Sequence, residues 1–198
     1  TGLRPVVFDP YGMDILSSPP ELPAYCKLVR GVPEGVIGAI CAALGLTGLA
    51  GGAAVAGCSA QMIGFAVQSY RENGVGGLLS QGLGTSMLQM PNIVRNPRIW
   101  IGPIFASAIT GPLATCVFKL RMDGAAVSSG MGTCGLVGQI GVFTGWISDM
   151  AAGTKAAITS FDWLGLLFIS FVLPAILSPI INQGCCRLGW VKNGDMKL

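Results

Sequence analysis

The chain has 198 residues, 52% of them hydrophobic, with 30 glycines and only 11% charged residues, where about 25% charged is usual in a soluble domain. Its mean hydropathy is +0.65 and its net charge +3. This excludes a disordered chain and a water-soluble globule, which needs more charge to cover its surface; an integral membrane protein remains. Histidine is absent, so no Ser-His-Asp triad, histidine zinc site or phosphohistidine relay exists within the chain. No metal or cofactor is expected. The charge is too small and too scattered for a nucleic-acid partner.

In chain order, residues 1–34 are rich in proline and carry seven charged residues. They read as an irregular, mostly extramembrane segment. Residues 35–186 follow as a transmembrane domain. Within it five stretches lack charge: 35–70, 73–94, 99–118, 124–148 and 163–186. Each has the ~20 residues that a helix needs to cross a bilayer. The best span is 163–186, rich in Leu, Ile and Phe, with Trp163 at one interface and kinks expected at Pro174 and Pro179. Stretches 73–94 and 124–148 are rich in small residues and poor in leucine. Such segments face other protein rather than lipid, as broken helices or re-entrant hairpins. Gly48/Gly52 and Gly141/Gly145 have the spacing for close packing. The fold class expected is therefore an all-α, polytopic helical bundle with Gly-rich broken or re-entrant segments. Residues 187–198 read as a short basic tail.

Lysine and arginine counts place that tail in the cytoplasm and the 149–162 connection outside. If 124–148 crosses, Lys119 and Arg121 join the tail in the cytoplasm. Arg95 and Arg98 then fall outside if 99–118 also crosses, which conflicts with the rule. Six of the seven cysteines lie in uncharged stretches, where a thiol acts as a small apolar residue.

An internal echo links two of the small-residue stretches. Gly82, Gly84, Thr85, Ser86 and Leu88 align with Gly130, Gly132, Thr133, Cys134 and Leu136 at an offset of 48. Internal repeats with interrupted helices mark many transporters, whose substrate sites lie at the repeat interface. The expected substrate-binding set is Gln81, Thr85, Ser86, Gln89 and Asn92 from the first copy, with Thr133 and Gln139 from the second. Arg95 and Arg98, in the run Pro91 to Arg98, are expected at the mouth, favouring an anionic or polyhydroxylated solute. The match of 130–135 to G-x-G-x-x-G lacks a preceding strand and is not a dinucleotide site.

The run ENGVGGLLSQGLGTSMLQMPNIVRNPRIWIGPIFASAITGPLATCVFKL, followed by SGMGTCGLVGQIGVFTGW, resembles the bacterial phosphotransferase-system enzyme IIC-like membrane proteins, a family that includes proteins called perfringolysin O regulators. The resemblance is dense from Ala42 to Trp146. It implies a multi-pass permease of the bacterial inner membrane, embedded in the lipid bilayer, that moves a sugar or other small polar solute. It also implies that any phosphoryl transfer resides on a separate soluble phosphotransferase subunit, so that this chain is not itself the enzyme. A homo-oligomer is expected. The alternative is a membrane sensor that binds a ligand and signals to a partner without transport.

Overall fold

A computed structural model describes residues 42–153 and 157–198. The expectations for 1–34, and for the lysine at 155, lie outside the described residues. Among those residues the fold is all-α. Helix α1 spans Gly48–Gln68. The chain continues through α2 (Tyr70–Leu79), a π turn over Ser80–Gly84, a 3-10 turn over Ser86–Gln89 and α3 (Met90–Arg95). A second long helix runs Pro97–Val117, with α4 (Ile101–Pro112) as its regular part. Three-10 turns over Ala126–Gly130 and Cys134–Leu136 lead into α5 (Val137–Ala151). Then α6 (Ser160–Leu167), a π turn (Phe168–Val172) and α7 (Leu173–Arg187) join into a third long helix.

Three helices among the described residues are long and apolar enough to cross a membrane: Gly48–Gln68, Pro97–Val117 and Ser160–Arg187. The first two have 21 residues each, about 31 Å at 1.5 Å per residue, which matches a ~30 Å hydrocarbon core. The starts of the second and third spans are set by local chemistry. Asn96 accepts a hydrogen bond from Arg98 N, and Pro97 occupies the first helical position. Thr159 and Asp162 form a capping box at the start of α6. The helices pack on one another through α1, α4 and α7. Large apolar side chains such as Phe105, Ile109, Leu164, Leu167, Ile176 and Ile180 remain exposed on the outer faces, as lipid-facing residues must be. The chain is an all-α membrane bundle.

The two small-residue stretches do not cross. Each enters the bundle and leaves by the end it entered. Residues 70–95 start beside the end of α1 at Gln68 and return to the same end, where Asn96 Nδ2 donates to Trp190 O at 3.0 Å. Residues 124–151 start at the opposite end, where Gly48 and Met122 exchange backbone hydrogen bonds. They run inward through 3-10 turns and return along α5. Close approach of the two limbs of this second hairpin needs Gly141 and Gly145. A Cβ on Gly145 would lie 2.8 Å from Asp123 N, and one on Gly141 2.7 Å from Ser128 Cβ.

This corrects the expected topology. Lys119 and Arg121 line one cleft with Asp149 and Asp162, so they share the end of the 149–162 connection and lie opposite the C-terminal tail. The physical reason is the hairpin: 124–148 is long enough to span, but its positive-φ residues Gly132, Gly135 and Leu136 turn the chain back. The correction also removes the conflict over Arg95 and Arg98. Six of the eight described cations, Arg71, Arg95, Arg98, Arg187, Lys192 and Lys197, lie at the tail end.

The core has two parts. One, near the start of α1, joins Val55, Ala56, Ala114, Leu120, Met122, Val142, Trp146, Leu166 and Ile169. The other, at the tail end, joins Phe65, Ile93, Ile99, Cys185, Val191 and Met196. The last two belong to the tail, which is docked rather than loose: each is 3% exposed. Burying two such side chains contributes about 3–6 kcal/mol before the ordering of the tail is subtracted.

Candidate functional site

The tips of the two hairpins meet beside the middle of α1. Thr133 Oγ1 donates to Gly82 O at 2.6 Å, and both residues are buried. These are the two G-x-G-T cores of the sequence echo. The first core breaks at Thr85, whose backbone is extended and whose hydroxyl accepts from Met87 N. The second breaks at Gly132, with φ +54°, where a Cβ would lie 2.8 Å from the carbonyl carbon of Cys58. Only glycine combines that backbone with that closeness to α1.

Around the contact, polar groups are buried and mostly paired within the chain. Gln139 Nε2 donates to Ser59 Oγ at 3.1 Å. Gln81 Nε2 donates to Ser69 Oγ at 2.8 Å and to Gly77 O at 3.2 Å. The Oε1 atoms of Gln81 and Gln139 are buried and accept no hydrogen bond among the described residues. At membrane depth such an acceptor is costly, by about 1–3 kcal/mol.

A cavity of about 130 Å³ opens beside the junction. Ser86, Met87 and Met90 of the first hairpin, Gly130 and Met131 of the second, and Cys58, Met62 and Phe65 of α1 line it. Gln61 and Trp100 close one side: Trp100 Nε1 donates to Gln61 Oε1 at 2.8 Å, and Gln61 Nε2 donates to Ser107 Oγ at 2.9 Å. The walls are mainly apolar, with Ser86 and Gln61 as the polar side chains.

The expected residues therefore fall into two groups. Thr85, Ser86, Thr133 and Gln139 lie around the hairpin junction, whereas the Gln81 side chain turns from it to Ser69 and Gly77. Gln89 and Asn92 face the tail instead. Gln89 Nε2 donates to Met196 O at 2.9 Å, and Asn92 Nδ2 donates to Gln89 Oε1 at 2.9 Å and to Lys197 O at 3.0 Å. Arg95 and Arg98 are exposed at the tail end, Arg98 with its guanidinium 5.7 Å from the Trp190 ring centre. Sequence reasoning missed Ser59, Ser69 and Glu72. Glu72 ties down the tail, accepting from Gly194 N at 2.9 Å and from Met196 N at 3.0 Å. Ser59 carried one available signal, as a hydroxyl two residues before Gln61 within the uncharged 35–70 stretch.

The geometry is that of a membrane bundle with two opposed half-spanning hairpins. No curated protein and no solved structure matches the chain. Residues 38–198 match the family described as phosphotransferase system, EIIC, and across that length, which includes the three spans and both hairpins of the described residues, the chain belongs to the phosphotransferase-system EIIC family of membrane transporters.

Proposed function

We propose that the chain is a permease that moves a sugar or similar small polar solute past the junction of its two hairpins. The observation that carries this reading is the contact of Thr133 with Gly82 O at 2.6 Å. It joins two broken segments that approach from opposite ends of the bundle. Breaks of this kind at membrane depth free backbone groups for a solute, and they mark substrate sites in transporters built from inverted repeats. The span-plus-hairpin unit supports such a repeat. The spans Gly48–Gln68 and Pro97–Val117 have equal length and start 49 residues apart (97 − 48), close to the offset of 48 in the echo. The solute groups are the side chains of Thr85, Ser86, Thr133 and Gln139. Gln89 and Asn92, tied to the tail, and Arg95 and Arg98 lie on the route to the tail end.

The tail end faces the cytoplasm of a bacterial cell in this reading, because six of the eight described cations gather there. Phosphoryl transfer falls to a soluble partner subunit acting at that face. The test is uptake of labelled sugars into proteoliposomes that contain the full chain. Uptake above that of empty liposomes supports the permease. Ligand binding without uptake favours the sensor.

A further inference from the structure

Arg95 closes α3, and Arg98 stands in the first turn of the second span, with Asn96 breaking the helix between them. Both arginines are exposed, and neither forms a side-chain hydrogen bond or ion pair among the described residues. Asp195 lies close by, but its Oδ2 accepts from Asn96 Nδ2 and from Lys192 N, each at 2.8 Å. Counted in full, its charge still leaves the two arginines one positive charge in excess. Arg98 is stacked on Trp190, 5.7 Å from the ring centre. Stacking orients the guanidinium plane but leaves its in-plane N–H groups free to donate.

From Arg98 inward the second span carries an apolar outer face. Ile104, Phe105 and Ile109 are exposed, and helical spacing puts Phe105 and Ile109 on the same face as Arg98. Eleven residues separate Arg98 from Ile109 (109 − 98), about 17 Å along the axis. That is roughly half of a ~30 Å hydrocarbon core, the depth of one leaflet. Trp190, also exposed, stands at the level of the arginines, where an aromatic ring marks the membrane boundary. The arrangement is a pair of unpaired cations at the boundary, above a lipid-facing strip one leaflet deep.

We propose that Arg95, Arg98 and the outer face of the second span bind an anionic phospholipid. The two guanidinium groups take the headgroup phosphate through charge-assisted hydrogen bonds, and an acyl chain lies along Phe105 and Ile109. Basic side chains at the membrane boundary attract anionic headgroups in this way. A zwitterionic lipid offers the same acyl contacts, but its own cation offsets the phosphate. Inorganic phosphate offers the charge without the acyl contacts. The site lies on the outer surface, apart from the hairpin junction, and equilibrium binding reads it, so its failure is distinguishable from a failure of transport.

The test is native mass spectrometry of the full chain in detergent micelles, titrated with phosphatidylglycerol or with phosphatidylcholine of the same acyl chains. The first phosphatidylglycerol is expected to bind at least about tenfold more tightly than phosphatidylcholine, and millimolar inorganic phosphate is expected not to displace it. Arg95→Gln and Arg98→Gln are each expected to weaken phosphatidylglycerol about threefold or more and to leave phosphatidylcholine unchanged. Arg98→Lys keeps the charge and retains most of the preference. Lys192→Gln and Lys197→Gln, at the same end of the bundle, are expected to change it by less than about twofold. Thermal unfolding midpoints equal to that of the unaltered chain establish that each variant is folded. Equal affinity of the unaltered chain for the two lipids overturns the proposal. So does an unchanged preference in the folded arginine variants, an equal loss in the tail lysine variants, or displacement of the lipid by inorganic phosphate.

Discussion

Thr133 and Gly82 lie 51 residues apart in sequence and are joined by a 2.6 Å hydrogen bond from hydroxyl to carbonyl. The bond closes the gap between two hairpins that enter from opposite ends, so neither tip is complete without the other. Thr133→Val removes the donor but keeps the shape, leaving a buried carbonyl without this partner. The expected loss is about 1–3 kcal/mol of stability, with Thr133→Ser close to the unaltered protein. Chemical denaturation in a mild detergent measures both.

The two G-x-G-T cores are not equivalent in tolerance. Gly132 has φ +54° and stands against the backbone of Cys58, whereas a Cβ on Gly84 would meet nothing within 4 Å. Gly132→Ala is therefore expected to destabilise the bundle by several kcal/mol, because strain and overpacking add. Gly84→Ala should change stability by about 1 kcal/mol or less, through helix propensity alone. Equal loss in the two variants, measured by thermal unfolding in detergent, would argue against the asymmetry of the junction.

The tail acts as a strap across the open end of the first hairpin. Asn73, Gln89 and Asn92 donate to Met196 O and Lys197 O, and Glu72 accepts from the tail backbone. Removing residues 193–198 is expected to raise amide hydrogen exchange across 86–95 by about tenfold or more, while 126–136 remains protected. Exchange mass spectrometry in nanodiscs reads both segments in one experiment.

Orientation is checked by single cysteines in a cysteine-free background. Labels at Arg121 and Asp162 should report one face of the membrane, and a label at Lys197 the other. Arg121 on the side of Lys197 would mean that 124–148 crosses after all.

Much of the fold was legible in the sequence because it rests on composition. The uncharged stretches gave the three spans, and low leucine with high glycine marked 73–94 and 124–148 as segments that face protein. The echo of Gly82–Thr85 in Gly130–Thr133 anticipated the two tips that touch. The side of Lys119 and Arg121 was misread because charge counting needs the number of crossings, and a hairpin turning at Gly132 to Leu136 has the same length as a span. Gln89 and Asn92, of the first copy, were expected to approach the second copy and bond the tail instead, because residues 187–198 read as a solvated tail. Val191 and Met196 are only two apolar anchors in a polar run, and their burial depends on a tertiary pocket that no local pattern announces.

The central claim is that a solute passes through the hairpin junction. Its most direct test is proteoliposome uptake by Thr133→Val and Gln139→Leu, each first shown to be folded by its unfolding midpoint. The account predicts that both lose at least about tenfold in uptake, while Gly84→Ala transports normally. Normal uptake by both folded variants would contradict it and leave the junction as a packing contact alone.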